Sequence, residues 1–309
     1  MTVSCSSFRQ LLASLPQQSV QQTLAKTYKE ENQTDRERMT QAMEYGATGA
    51  CDISDSQRGA NYNLNRYSDV VPFNHNRVRL EGKRDYINAS QITVPAQISA
   101  NKYIATQGPL NHSIGDFWRM VWEQQARGIV MLANPVEGLR PKCSVYWPQA
   151  LMASLKLGDI VVTLIDERPM RDCLSVVVRK IRLTHANVPD VTWDVTQLHY
   201  TEWPDHGVPT SPVPLLQMVR ELRSTVSPDP ETPVVVHCSA GVGRTGTFVI
   251  IDAAMCYFAK NTDYQGDFVG DAFKAMRRQR TMMVQTFPQF MMCYQVISFI
   301  LNEQKQQKH

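Results

Sequence analysis

The chain has 309 residues, of which 43% are hydrophobic and 20% charged, an ordinary globular balance with room for one large domain or two small ones. Its 32 basic and 29 acidic residues leave a net charge of +3, too small to point to nucleic acid, and no dense Lys/Arg block occurs. Seven scattered cysteines without a CxxC pair argue against a zinc site or a disulfide framework, and no signal peptide, lipidation box or bilayer-length apolar run is visible, so the expectation is a soluble, cytoplasmic protein with no membrane anchor and reduced thiols.

Residues 1 to about 35 read as a polar helical extension, with Leu11, Leu12, Leu15 and Leu24 as candidate docking residues. "EYGATGACDISDSQRGANYNLN" reads as a long turn-rich loop, and "GKRDYINASQITV" as a turn followed by a strand. "SIGDFWRMVWEQQA" predicts a helix, with Ser113 and Asp116 as its capping box and Trp118, Val121 and Trp122 on its apolar face. Four strands are expected next, in "GIVMLAN", "DIVVTLIDE", "CLSVVVRKIRL" and "DVTQLHYTEW". "SPVPLLQMVRELRSTV" predicts a helix with a Ser cap, Pro212 at its first helical position and an apolar face of Leu215, Met218, Val219, Leu222 and Val226. "AKNTDYQGDFVGDAF" reads as polar and turn-like, and "FPQFMMCYQVISFIL" closes the chain as a helix. Strands and helices mix without a strict βαβ rhythm, which predicts an α+β domain whose central twisted mixed sheet is flanked by helices. The expected division is an extension over 1–35, a catalytic domain over 36–303 and a polar tail over 304–309.

"VVVHCSAGVGRTGTFVIID" (Val234 to Asp252) holds two overlapping motifs between a strand and a helix. Gly241, Gly243 and Gly246 spell G-x-G-x-x-G, a dinucleotide-binding pattern. That reading needs an acidic residue ending a second strand about 20 residues later, and it finds only Asp263 and Asp267 in turn-like sequence, with only about 60 residues left for half a doubly wound fold. Cys238 and Arg244 spell C-x5-R instead. Successive N–H groups from Ser239 through Ala240, Gly241, Val242 and Gly243 to Arg244 can line an anion, the following helix adds its positive end, and Arg244 can fork two hydrogen bonds onto it. The same field favours a thiolate on Cys238, poised to attack phosphorus. C-x5-R alone leaves a buried structural cysteine as an open alternative.

Other segments bear on that choice. "VHCSAGVGRTGTF", the loop "WPDHGVP", the loop "NRYSDVVPF", and "DYINAS", "YIATQGPL", "DFWRMVWE", "KCSVYWP" and "QTFPQF" follow one another in an order that resembles the phosphotyrosine-specific protein tyrosine phosphatases over roughly residues 40 to 302. The resemblance implies that family's fold and the hydrolysis of phosphotyrosine in proteins, with no cofactor and no metal, phosphotyrosine proteins as partners, and a monomer. It implies Cys238 as nucleophile, Arg244 as phosphoryl ligand, Asp205 as general acid and then base, Gln285 placing the hydrolytic water with Gln289 beside it, Thr245 donating to the sulfur, and His237 tuning the cysteine. Tyr67 would set the pocket depth, Asp69 would accept from the substrate backbone, Lys142 would meet Asp205, Glu137 would orient Arg244, and Trp203 would act as hinge of the acid loop. "EGLRPK" around Glu137 departs from the family pattern, and Met282 stands near the pocket rim where some members have glycine. Arg277, Arg278 and Arg280 are weighed as a second phosphate site against a solvated helix face. A dual-specificity or lipid phosphatase, and a phosphotyrosine-binding pseudophosphatase, are the alternatives to an active tyrosine phosphatase.

Overall fold

The computed structural model describes residues 7–45, 49–204, 207–226 and 231–306. Its helices are α1 (Phe8–Ser14), α2 (Gln18–Tyr45), the short α3 (Ser54–Gln57) and α4 (Gly59–Tyr62), α5 (Ile114–Glu123), α6 (Val213–Thr225), α7 (Gly243–Phe258), α8 (Phe268–Arg277) and α9 (Phe287–Gln306). Its strands are β1 (Arg77–Arg79), β2 (Tyr86–Thr93), β3 (Lys102–Thr106), β4 (Gly128–Met131), β5 (Val136–Glu137), β6 (Arg140–Pro141), β7 (Ser154–Leu157), β8 (Ile160–Met170), β9 (Cys173–His185), β10 (Val188–Tyr200) and β11 (Val234–His237).

Nine strands form one mixed sheet in the order β1-β2-β3-β11-β4-β10-β9-β8-β7, while β5 and β6 pair separately. The middle is parallel: β11 lies between β3 and β4, with Val235 level with both Ile104 and Ile129, and β4 continues in parallel to β10. The flanks are antiparallel. A strand buried on both faces needs no alternation, and Val234, Val235, Val236 and His237 are all buried. One face of the sheet packs on α6 to α9, with Phe248, Phe273, Phe290 and Ile297 in its core. The other face packs on α5 through Phe117, Trp118 and Val121, together with Tyr146. The loop after β11 therefore leaves the carboxyl end of the central parallel strands, where α/β sheets open a crevice.

Several local readings change. Ser113 does not cap α5; its hydroxyl bonds the Leu110 N–H at 3.0 Å, and Asp116 pairs with Arg119 at 3.3 Å. Residues 268–277, within and beyond the stretch read as turn-like, form α8, whose first turn is capped by Asp267 accepting the Gly270 N–H at 2.9 Å. The loop before Tyr67 carries the short helices α3 and α4. The N-terminal helix runs unbroken through residues 35 and 36 to Tyr45, so the expected boundary falls inside α2. No helix among the described residues is long and apolar enough to cross a membrane.

Helix α1 inserts into the main core. Phe8 is fully buried, with its ring 5.8 Å from Phe268 and 6.1 Å from both Phe258 and Tyr294. Leu11, Leu12 and Leu24 are buried beside it. Emptying that ring site leaves a cavity the neighbours fill only in part, so Phe8→Ala is expected to destabilise the fold by about 3–5 kcal/mol. Urea denaturation followed by tryptophan fluorescence measures this; a loss of under about 1 kcal/mol would mean that α1 is only loosely attached.

Candidate active site

Cys238 leaves β11 at the floor of a cleft of about 320 Å³, and α7 begins five residues later at Gly243. The shape of the intervening loop follows from where its carbonyls go. Ser239 O accepts the Gly108 N–H at 2.8 Å, and Val242 O accepts both Gly246 N–H and Val284 N–H. Ala240 O and Gly241 O accept from the Arg280 guanidinium at 3.1 and 3.0 Å. In a planar trans peptide the N–H points opposite the carbonyl. With four carbonyls held outward, the N–H groups of Ala240, Gly241, Val242 and Gly243 face the cleft, where they and the start of α7 make a positive cradle. Gly241 has φ +73°, and a Cβ there would come 2.1 Å from the Thr106 carbonyl oxygen, so no other residue fits this bend.

Arg244 stands over the cradle. Its two terminal nitrogens reach Glu137 Oε1 and Oε2 at 2.6 and 2.9 Å, a fork that fixes the guanidinium plane, and Nη1 also donates to Leu132 O. Glu137 is presented by the β5–β6 hairpin, whose two turn residues Gly138 and Leu139 both have positive φ (52° and 64°). "EGLRPK" thus departs from the family pattern in a turn, while the carboxylate still reaches Arg244. The Trp203 ring is buried 6.0 Å from the Arg244 guanidinium carbon, and Pro204 O accepts from Arg244 at 3.4 Å. Asp205 lies outside the described residues, as does His206; Pro204 and Gly207 line the cleft.

Tyr67 forms one wall, its hydroxyl 2.8 Å from Ser239 Oγ, which in turn donates to Lys142 O at 3.0 Å. Asp69, Lys142, Gln285 and Gln289 also line the cleft. Gln289 is buried and packs under Gly243, where a Cβ would meet its Oε1 at 2.9 Å. Thr245 is buried, and its hydroxyl donates to Cys238 Sγ at 3.4 Å. His237 is brought to the backbone of the cysteine rather than to its sulfur. The Cys238 carbonyl can only accept, so His237 Nδ1 carries the proton (3.2 Å) and Nε2 accepts from Tyr146 OH at 2.7 Å. Burial lowers the His237 imidazole to about 4, which leaves it neutral at physiological pH.

The reading of Arg277, Arg278 and Arg280 changes. Arg277 and Arg280 are buried structural cations, neither solvated nor open to a second phosphate, and only Arg278 is exposed. Arg277 pairs with Asp35 at 2.7 Å and donates to the carbonyls of Met283 and Val284. Arg280 also holds Ser90 Oγ and Asn88 Oδ1, and burial lowers it to about 10, which still leaves it charged. Met282 lines a second cleft beside the first, together with Asp69 and Gln285. Arg66, also passed over in the sequence, anchors the Tyr67 loop through the carbonyls of Gly108 and Pro109. Nothing in local sequence marks Arg277 and Arg280 as buried, because acceptors such as Asp35, Asn88 and Ser90 come from distant segments.

Comparison with known proteins adds an independent line. The family model for protein-tyrosine phosphatase matches residues 61–299. Receptor-type tyrosine-protein phosphatase C of Mus musculus is 40% identical over 252 residues, which is 79% of this chain and 19% of that protein. Tyrosine-protein phosphatase non-receptor type 13 of Homo sapiens is 37% identical over 261 residues (81% and 10%), and non-receptor type 4 of Mus musculus 39% over 245 (79% and 26%). The chain spans about a quarter or less of the length of these relatives.

The buried histidines make stability depend on pH. His237 falls from its ordinary 6.5 to about 4, and His199 to about 3, in both cases through burial first. The unfolded chain takes up these protons near 6.5 and the folded one does not, so their stabilising contribution is complete above 6.5 and is lost as pH falls towards the folded values. By pH 5 each is expected to have withdrawn about 2 kcal/mol. Urea unfolding between pH 7.5 and 5 should show the decline, shallower in His237→Gln; an unchanged slope in that variant would contradict the assignment.

Proposed function

Because the chain belongs to the protein-tyrosine phosphatase family, we propose that it hydrolyses phosphotyrosine in proteins through a phosphocysteine on Cys238. The observation that carries this reading is Cys238 at the floor of a cradle of inward N–H groups, under an Arg244 fixed by Glu137. A dianionic phosphoryl group seated there meets donors on its equatorial oxygens, with the sulfur below in line for attack.

In the first step the sulfur forms a bond to phosphorus and the bond to the tyrosyl oxygen breaks. Asp205 delivers a proton to that leaving oxygen, a role supported by its neighbours Pro204 and Gly207, which line the cleft. Lys142 at the rim is the cation assigned to meet Asp205 there. In the second step water attacks phosphorus, Asp205 takes the proton back, and the S–P bond breaks to release phosphate. Gln285 places that water, with Gln289 beside it, and the Thr245 hydroxyl already directed at the sulfur stabilises it as it leaves. His237 holds the Cys238 backbone and is no general base, since burial keeps it neutral and its Nε2 is occupied by Tyr146. The Tyr67 wall sets a depth that suits the long phosphotyrosine side chain over phosphoserine, and exposed Asp69 accepts from the peptide backbone.

Two measurements test this. On paired peptides differing only in the phosphorylated residue, kcat/KM for phosphotyrosine should exceed that for phosphoserine by about a thousandfold or more, and comparable rates would favour a dual-specificity enzyme. Asp205→Ala should lower kcat by about 10²–10⁴ with little change in peptide affinity, whereas equal losses in the two would remove Asp205 from the acid role.

A further inference from the structure

The turn between α8 and α9 carries Gln285 into the cleft, and it is a strained turn. Met282 and Val284 both have φ 58°, a left-handed backbone that bulky and β-branched side chains avoid. Such a conformation persists only where the surroundings hold it. Much of that hold comes from α2, more than 200 residues away in sequence.

Asp35 on α2 is 4% exposed. Its Oδ2 accepts the Met282 N–H at 3.0 Å and Arg277 Nη1 at 2.7 Å, and its Oδ1 accepts Arg38 Nη1 at 2.8 Å. Arg277 passes the constraint on, donating Nε to Met283 O at 2.6 Å and Nη2 to Val284 O at 2.9 Å. Two turns earlier on the same face of α2, Tyr28 donates its hydroxyl to Gln285 O. Successive backbone groups from Met282 to Gln285 are thus held directly by α2 or through one arginine. The Val284 N–H also donates to Val242 O, which ties the turn to the loop after β11, and the Met283 and Val284 side chains are buried in the main core.

We propose that Asp35, together with Tyr28, is a positioning residue for the hydrolytic half of the reaction: it holds the 282–284 turn in the shape that keeps Gln285 facing the phosphocysteine. The inference rests on the water-placing role given to Gln285 above. In the first half-reaction the S–P bond forms and the tyrosyl P–O bond breaks, and no water takes part. In the second, the water oxygen must be held in line while its proton passes to Asp205 and the S–P bond breaks. A slackened turn therefore slows the second step and spares the first.

The test is rapid mixing of the full chain with 4-nitrophenyl phosphate. Asp35→Asn and Tyr28→Phe are expected to lower kcat about tenfold while kcat/KM, which reports only the steps through departure of the aryl group, changes less than about twofold. A burst of close to one nitrophenol per enzyme should precede the steady state. Tyr28→Phe removes a single hydrogen bond and serves where Asp35→Asn fails to fold. Parallel losses in kcat and kcat/KM, no change in either, or no burst would overturn the proposal, because a merely structural role lowers both constants through loss of active protein. Gln285→Ala separates the two levels. If it shows the split and the α2 variants do not, the inference alone falls; if it shows none, the role of Gln285 falls and takes the inference with it.

Discussion

Arg280 is a full positive charge with no exposure to water, and the cradle of N–H groups takes its shape from it. Burying a guanidinium costs several kcal/mol unless its donors are satisfied, and they are, by the carbonyls of Ala240 and Gly241 and the side chains of Asn88 and Ser90. Satisfying the arginine and shaping the loop are the same event. Two carbonyls are drawn outward, the peptide planes turn with them, and the opposite N–H groups are aimed into the cleft. The bend this requires puts Gly241 in the left-handed region with the Thr106 carbonyl against it, so the glycine follows from the arginine. Asn88 and Ser90 sit on β2, so the register of that strand also determines where the cradle lies.

The same device recurs around the rim. Glu137 and Arg244 form a forked pair on a hairpin whose turn residue Leu139 has φ 64° and is 97% exposed. Asp35 and Arg277 form a buried pair behind a turn with two left-handed residues. Strained backbone of this kind costs about 1–3 kcal/mol per residue and needs enforcement from outside. A buried ion pair is weak evidence for net stability, since desolvation offsets much of its attraction. Its directionality is what matters at these positions, because a fork fixes a plane where an apolar contact leaves it free.

Much of the site was legible in the chain. Cys238, Arg244, Tyr67, Gln285 and Gln289 sit in short motifs whose spacing reflects one loop or one helix start, and local geometry carries that information. What could not be read were groups whose partners are distant. Arg277 and Arg280 look like a solvated basic run in "RRQR", because a charge signals water unless its acceptors are known, and those acceptors lie on α2, β2, the loop after β11 and the turn before α9. Ser113 looked like a helix cap, but Leu110 N–H competes for its hydroxyl. Helix α8 did leave a signal, in Asp267 followed by Phe268, Val269, Ala272, Phe273 and Met276, which the polar residues just before it obscured.

By itself the sequence carried the pattern of the site: a cysteine and an arginine with five residues between them across a glycine-rich turn between a strand and a helix, an acid in a separate motif, and a mixed α+β fold. Those features depend on covalent neighbours, on periodicity and on glycine where the backbone must bend, all of which short stretches encode. Only the tertiary structure decided the orientation of the groups. Which way the loop carbonyls face, which nitrogen of His237 carries the proton, and which segment holds the Gln285 turn are settled by hydrogen-bond partners that folding brings from β2, Tyr146 and α2. Hydrogen bonds act over about 3 Å, and sequence separation says nothing about which groups come that close.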